Sequence, residues 1–175
     1  MKSPIYLRAP EPQDRSAFLA AVRASQKLHR PWISAPATTA QFRAYLQKMA
    51  QPANRAYLVC RRDTHDIAGV INLTNVILGA FRSGYLGYYA FAGHERQGFM
   101  CAGLKAVIRH AFGALRLHRL EANIQPGNGT SIALVRACGF RQEGYSPRYL
   151  KIRGRWCDHQ RWAILADRDG RGDTA

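Results

Sequence analysis

Residues 88–104 constrain the fold of this chain more than any other segment, because they join a strand end, a polar turn and a helix start. An apolar run ends at Ala92, the turn contains Gly93 and Gly98, and apolar residues then recur at helical spacing as far as Leu115. Backbone N–H groups at a helix start have no partner within the helix and carry partial positive charge. We therefore predict that this turn binds a phosphate-bearing ligand.

The turn matches neither of two common nucleotide-binding patterns. No Gly-Lys-Ser/Thr follows Gly98, as a Walker loop requires, and the segment has no GxGxxG pattern of a dinucleotide-binding fold. Gly98 allows the backbone to approach a ligand closely, and Arg96 can add charge-assisted hydrogen bonds. Taken alone, the same pattern is also compatible with a plain loop.

Hydrophobic periodicity predicts one domain over residues 1–166 and a polar, glycine-rich tail, expected to be disordered, over residues 167–175. Helices are predicted over residues 14–28, after Thr38 or Thr39, after Gly98, and after Asn128 or Thr130. Strands are predicted over residues 5–9, 57–62, 67–77, 84–91, 119–124, 140–152 and 156–165. This order, with a helix inserted into a mostly antiparallel meander, predicts an α+β fold with a mixed sheet.

The composition narrows the class of protein. Lys and Arg number 26 against 11 Asp and Glu, and the resulting charge of +15 attracts nucleic acid, acidic protein or a polyphosphate ligand. The four cysteines form no CxxC pair and no cluster with histidine, so we expect reduced thiols and no metal site. No apolar run approaches the ~20 residues of a membrane span, and the first residues lack a signal-peptide core, so a cytoplasmic location is expected.

A second group of motifs, after the turn, identifies a family. Residues 121–134 contain a strand, a Pro-Gly break and the pattern Asn128-x-x-Ser131, and Gly139-Phe140-x-x-Glu143-Gly144 follows. In this order the motifs resemble the GNAT superfamily of acetyltransferases. Three further motifs make the chain similar to the RimJ/RimL ribosomal-protein-alanine N-acetyltransferases over about residues 5 to 165: Arg30-Pro31-Trp32, residues 69–76, and residues 154–159.

The resemblance implies a GNAT-like fold, in which two splayed parallel strands at the centre of the sheet hold acetyl-CoA. Here those strands are residues 84–91 and 119–125. The pantetheine arm is expected along the backbone of Tyr89, Ala90 and Phe91, with Asn128 bonded to the same arm. The diphosphate is expected on the N–H groups of Arg96, Gln97, Gly98, Phe99, Met100, Cys101 and Ala102.

The resemblance also implies a direct attack of an amine on the thioester. Many GNAT enzymes place a tyrosine four residues before the glycine of the Gly-Phe pair, and this chain has Val135 there. Ser131 is therefore the candidate catalytic donor to the leaving sulfur, although its hydroxyl is equally compatible with a helix cap. The sequence identifies no general base.

Four residues are candidates for the acceptor channel, and each is also compatible with ordinary packing: Trp32, Asn72, Tyr88 and Glu121.

Three functions remain open from the sequence. The first is acetylation of a protein N-terminus, such as the N-terminal alanine of a ribosomal protein, by a monomer or homodimer that works near ribosomal RNA and away from membranes. The second is acetylation of a small amine. The third is a non-catalytic RNA-binding module on a GNAT-like scaffold, which would bind RNA with steep salt dependence.

Overall fold

A computed structural model describes residues 3–166 as seven strands and five helices. The predicted tail, residues 167–175, lies outside the described residues. The strands are β1 (Ile5–Arg8), β2 (Arg55–Arg61), β3 (Ile67–Ile77), β4 (Ser83–Ala90), β5 (Arg119–Ile124), β6 (Arg141–Ile152) and β7 (Arg155–Leu165). The helices are α1 (Arg15–Ala24), α2 (Gln26–His29), α3 (Thr39–Met49), α4 (Phe99–Gly113) and α5 (Gly129–Ala137), with a 3-10 turn at Pro12–Asp14.

The strands form a sheet in the order β1-β2-β3-β4-β5-β7-β6, and β4 and β5 are its parallel pair. The other neighbours pair antiparallel. The predicted α+β fold with a mixed, mostly antiparallel sheet is therefore confirmed. The parallel pairing ends at Tyr85 and Glu121, whereas β4 continues to Ala90 and β5 to Ile124. The two strands separate beyond that point, as the resemblance implied.

A hydrophobic core lies on each face of the sheet. On one face, alternate residues of β5 (Leu120, Ala122 and Ile124) pack with α4 and α5. On the other face, Phe18 of α1 and Phe42 of α3 pack with residues of β2 and β3. The split between β4 and β5 therefore opens between two covered faces.

Helix α4 packs along the sheet through residues at helical spacing. Leu104, Val107, Ile108 and Ala111 are buried, as an amphipathic helix predicts.

Across residues 3–166, no helix combines the length and the apolar character needed to cross a membrane.

The single helix predicted over residues 14–28 is wrong, because it is interrupted at Ser25. The hydroxyl of Ser25 donates to the carbonyl of Ala21 at 2.7 Å and accepts from the amide of Ala92 at 2.8 Å. A serine bonded to the carbonyl four residues earlier competes with regular helix geometry. Asp14 also leaves the start of α1 uncapped, since its carboxylate binds the guanidinium of Arg8 at 2.6 Å.

Two alternatives left open by the sequence are resolved by the helix caps. The Oγ1 atom of Thr38 accepts from the amide of Gln41 at 3.2 Å, so Thr38 caps α3. The Oδ1 atom of Asn128 accepts from the amide of Ser131 at 3.2 Å, so Asn128 caps α5. The chain leaves α5 through Gly139, at a φ of 91°, as predicted for a glycine that ends a helix.

Candidate active site

The split sheet leaves backbone groups of β4 facing a gap. The amide of Phe91 donates to the carbonyl of Ala68 at 2.8 Å, and antiparallel pairing alternates along a strand. Tyr89 therefore also directs its backbone groups toward β3, whereas Tyr88 and Ala90 direct theirs toward β5, beyond the last β4–β5 pair. Of the predicted pantetheine-binding residues, Ala90 thus has a backbone facing the gap, and Phe91 has its amide bonded to β3.

The turn between β4 and α4 presents a run of unbonded amides. Among the described residues, the backbone N–H groups of residues 95–101 have no acceptor. The amide of Ala102, which was also predicted to bind the diphosphate, already donates to the carbonyl of Gly98 at 2.9 Å. Ala102 is the first residue of α4 whose amide reaches an acceptor in the preceding turn. The open run therefore ends at Cys101.

Three residues in this turn have positive φ angles: Gly93 at 87°, Arg96 at 59° and Gly98 at 81°. A left-handed residue reverses the direction of the following amide, and successive amides can then converge on one anion. The side chain of Glu95 is held back in the turn, because its carboxylate accepts from the amide of Gly93 at 2.7 Å. Gln97 likewise donates to the carbonyl of Gly93 at 2.7 Å. These two side chains therefore brace the turn.

Ser131 lies at the start of α5, facing the end of β4. Its Oγ atom lies 2.7 Å from the hydroxyl of Tyr88, 43 residues earlier in the chain. Because Asn128 caps the helix, the hydroxyl of Ser131 is not used as a cap. Burial raises the pKa of Tyr88, although the hydrogen bond to Ser131 acts in the opposite direction. Tyr88 therefore keeps its proton and can donate it toward Ser131.

These residues border a cleft of about 100 Å³ between β4 and β5. Of the predicted site residues, the structure brings Trp32, Tyr88, Asn128 and Ser131 to this cleft. The loop that carries Trp32 is tied to the rim, since the Nε2 atom of Gln125 donates to the carbonyl of Trp32 at 3.2 Å. The remaining lining residues are Ile33, Leu86, Gly87, Ala122, Asn123, Ile124, Gln125 and His159.

Two of the four acceptor-channel candidates, Asn72 and Glu121, are not among the residues lining the cleft. The Oδ1 atom of Asn72 accepts from the hydroxyl of Tyr45 at 2.7 Å, which ties β3 to α3. The carboxylate of Glu121 pairs with the guanidinium of Arg119 at 2.7 Å. The side chain of Asn72 is therefore engaged with another element, and that of Glu121 is engaged with a neighbour on its own strand.

His29 is a buried residue that sequence reasoning missed. Its Nε2 atom donates to the carbonyl of Ala90 at 2.7 Å, so it holds the end of β4 beside the split. Nδ1 is buried without a partner among the described residues. Burial lowers the pKa of His29, and the bond to Ala90 offsets part of that effect. The place of His29 directly before the Arg30-Pro31-Trp32 motif was the feature of the sequence that could have identified it as part of the site.

In the part of the chain that the structure describes, the cysteine side chains form neither a disulfide nor part of a metal-binding cluster. Within residues 3–166, no group of three or more His, Cys, Asp or Glu side chains is placed to hold a metal ion. The four thiols are free, as expected for reduced cysteines. The sulfur atom of Cys101, at the start of α4, lies 3.9 Å from the sulfur atom of Cys138, at the end of α5. Helices α4 and α5 therefore meet beside the turn.

The chain belongs to the GNAT family of acetyltransferases. The profile of the family described as "Acetyltransferase (GNAT) domain" matches residues 5–141. The match includes the split strands, the turn and α5.

Two curated relatives fit this assignment. The chain is 40% identical over 97 residues to the [Ribosomal protein uS5]-alanine N-acetyltransferase of Escherichia coli, covering 55% of this chain and 50% of that protein. It is 36% identical over 99 residues to the probable N-acetyltransferase YjcK of Bacillus subtilis, covering 57% and 55%. The aligned part of the chain thus spans about half the length of the curated relatives it matches.

Two solved structures have the same fold. RimJ of Mycobacterium smegmatis, in complex with CoA-disulfide, has a TM-score of 0.86 at 27% identity, over 93% of this chain and 82% of that one. A spermidine N-acetyltransferase of Vibrio cholerae, in complex with CoA and spermine, has a TM-score of 0.80 at 22% identity, over 94% and 96%. At that lower identity the second likeness concerns the fold alone.

The burial of His29 predicts a pH-dependent stability. Because its pKa is lower in the folded chain than in the unfolded chain, the unfolded chain binds more protons in acid. The contribution of His29 is full above its unfolded pKa, near 6.5, and is lost as the pH falls through the folded value. Urea unfolding of His29→Gln, whose amide can still bond to Ala90, should show a weaker loss of stability between pH 7.5 and 5 than the parent. The exposed His118→Gln is the control, and equal pH dependence in all three proteins would contradict this assignment.

Proposed function

We propose that this protein is an acetyl-CoA-dependent N-acetyltransferase that acts on the α-amine of a protein N-terminus. The observation that carries the proposal is the combination of open amides at residues 95–101 with the split between β4 and β5. A phosphate group fits the first feature and an extended, amide-containing arm fits the second. The membership of the GNAT family supports the same ligand.

The site residues divide coenzyme A between them. The amides from Arg96 to Cys101 would bind the diphosphate, as converging backbone donors at a helix start do. The backbone groups of Tyr88 and the amide of Ala90, whose carbonyl already accepts from His29, would bond to the pantetheine arm. Asn128 has its Oδ1 atom committed to the cap of α5, so its Nδ2 group is the part that would donate to the ligand.

Acetyl-CoA, when bound, supplies an acetyl group activated as a thioester. The hydroxyl of Tyr88 and the Oγ atom of Ser131 lie 2.7 Å apart. A protonated Tyr88 that donates to Ser131 would leave the hydroxyl hydrogen of Ser131 for the departing sulfur. A positioned donor of this kind supplies the proton that a thiolate needs as it leaves. Ser131 and Tyr88 thus act as one unit, and together they occupy the role that the tyrosine replaced by Val135 fills in other members of the family.

The lining of the cleft favours a peptide amine over a polyamine. The lining residues within the described part of the chain include no Asp or Glu, so the cleft offers no carboxylate to a multiply charged cation. It offers aromatic surface and hydrogen-bond acceptors, including the buried Oδ1 atom of Asn123, which has no partner within residues 3–166. A single ammonium group followed by a small side chain and a peptide bond suits such a lining.

A ribosomal protein with an N-terminal alanine is the acceptor we propose. The uS5-alanine N-acetyltransferase relative and the RimJ structure support this choice. The charge of +15 would also favour approach to an anionic surface such as ribosomal RNA.

A thiol-release assay tests the acceptor class. Purified protein with acetyl-CoA should acetylate an Ala-starting peptide from the N-terminus of uS5 with a kcat/KM at least tenfold above that for spermidine. Mass spectrometry should place the acetyl group on the α-amine, and a lysine included in the peptide serves as an internal control. Preferential turnover of spermidine would support a small-amine acetyltransferase. Steeply salt-dependent RNA binding without thiol release would support the RNA-binding alternative.

The hydroxyl pair predicts a specific pattern of losses. Ser131→Ala and Tyr88→Phe should each lower kcat by about 10- to 100-fold, because each removes one member of a proton-donating pair. The double variant should lose little more than the worse single variant, since the two residues act as a unit. Thr130→Ala, an exposed hydroxyl beside Ser131 on α5, is the matched control and should retain full activity. Unchanged turnover in both single variants would remove the pair from the mechanism.

A further inference from the structure

We propose that the Nε2 atom of His159 is the base that takes the proton from the attacking amine. This inference rests on the proposed function and assigns a role that the sequence left unfilled. His159 lies on β7, is 3% exposed, and borders the cleft that also contains Tyr88 and Ser131. A buried polar ring in the wall of a cleft this small lies within a short distance of any reacting group held there.

The hydrogen bonding of His159 defines which nitrogen can accept a proton. Its Nδ1 atom lies 2.9 Å from the carbonyl oxygen of Cys157. A carbonyl oxygen only accepts hydrogen bonds, so Nδ1 must carry the hydrogen. In the neutral ring Nε2 then carries the lone pair, and a backbone partner on the other nitrogen is the usual device for selecting a tautomer. The ring of Tyr149 packs edge-on against His159, with centroids 6.0 Å apart, and fixes its orientation.

His159 and the hydroxyl pair approach the cleft from opposite faces of the sheet. Trp162 and Tyr88 belong to the core on the α4 and α5 face. Because side chains alternate along a strand, His159 points to the face opposite that of Trp162. The split between β4 and β5 connects the two faces. The donor to the leaving sulfur therefore lies on one side of a thioester in the split, and the proposed base lies on the side from which an amine can approach.

The proton movements balance with these two groups. The ammonium group loses one proton to Nε2 of His159, and the neutral nitrogen forms a bond to the acetyl carbon. The carbon–sulfur bond breaks, and its electron pair stays on sulfur. The second proton lost by the nitrogen ends on sulfur through the Tyr88–Ser131 pair, and the proton on His159 passes to water. An amide, a thiol and one released proton are the products.

Glu121, the one carboxylate among the acceptor-channel candidates, does not compete for the role of base. It is paired with Arg119 and is absent from the residues lining the cleft. The titratable or charged groups around His159 on the described elements are Cys157, Asp158 and Arg161 on β7, Tyr145, Arg148 and Tyr149 on β6, and Tyr88 across the cleft. Asp158 is engaged by the hydroxyl of Tyr145 and the amide of Arg148, so it does not take the place of the base.

The test compares His159→Asn with His159→Gln. The amide of Asn can keep the bond to Cys157 but has no basic nitrogen, and the amide of Gln reaches the position of Nε2 without its basicity. At pH 7 about a tenth of an α-amine with a pKa of about 7.7–8.0 is already neutral and can react without the base, so both variants should lower kcat/KM for the Ala-starting peptide by up to about 10-fold. Affinity for acetyl-CoA, measured by calorimetry, should stay within about twofold, as the base does not hold the ligand. His118→Gln, at an exposed histidine, is the control.

A pH profile separates a base from a packing residue. A peptide α-amine has a pKa of about 7.7–8.0, so at pH 9.5 it arrives neutral and needs no base for the first proton. The ratio of parent to variant kcat/KM should therefore fall steeply between pH 7 and 9.5. A constant ratio would show that His159 acts only through the structure and would overturn the proposal.

An activity-independent measurement examines the tautomer itself. In ¹⁵N NMR spectra of the parent at pH 8, the ring of His159, assigned by comparison with His159→Asn, should show a protonated Nδ1 and an unprotonated Nε2. The opposite tautomer would overturn the proposal whatever the acceptor is. If the parent releases no thiol with any Ala-starting peptide, the proposed function fails. The ring signals then still decide whether His159 can accept a proton.

Discussion

The separation of β4 from β5 after Tyr85 and Glu121 is the constraint on which the rest of the structure depends. Two parallel strands that stay paired leave no backbone group for a ligand. Here β4 keeps its bonds to β3 as far as Ala90, so the unpaired side of the strand is held rigidly in place. The cost of exposing strand polar groups is offset by solvent or by a ligand that can pair with them. The gap is thus a preformed binding surface.

The other parts of the candidate site lie around this gap. The turn before α4 presents open amides at the end of β4, and α5 places Ser131 against Tyr88 of β4 beside it. His29 holds the carbonyl of Ala90 and the loop of Trp32 closes the rim. These parts come from three separate segments of the chain. A binding site built in this way depends on the fold as a whole.

The sequence predicted the elements formed by local signals. The turn at Gly98 and a helix start at Asn128 or Thr130 follow from glycine and capping patterns, which act between near neighbours, whereas the parallel pair was implied by the resemblance to the GNAT superfamily. It did not predict the interruption at Ser25, because that residue is bonded to Ala92, far along the chain. The bond between His29 and Ala90 spans 61 residues and was missed for the same reason. Side-chain pairs of this kind depend on the register of strands, which no local pattern specifies.

Calorimetry of coenzyme A binding tests the central claim most directly. The parent protein should bind coenzyme A, and Gly98→Ala should bind it at least tenfold more weakly, because a side chain at a φ of 81° strains the open turn. Gly79→Ala is the matched control: Gly79 has a φ of 70° and, like Gly98, has no atom within 4 Å of an added Cβ, but it lies in the β3–β4 turn. It should bind coenzyme A like the parent. Absence of coenzyme A binding by the parent, or equal affinity in all three proteins, would contradict the account.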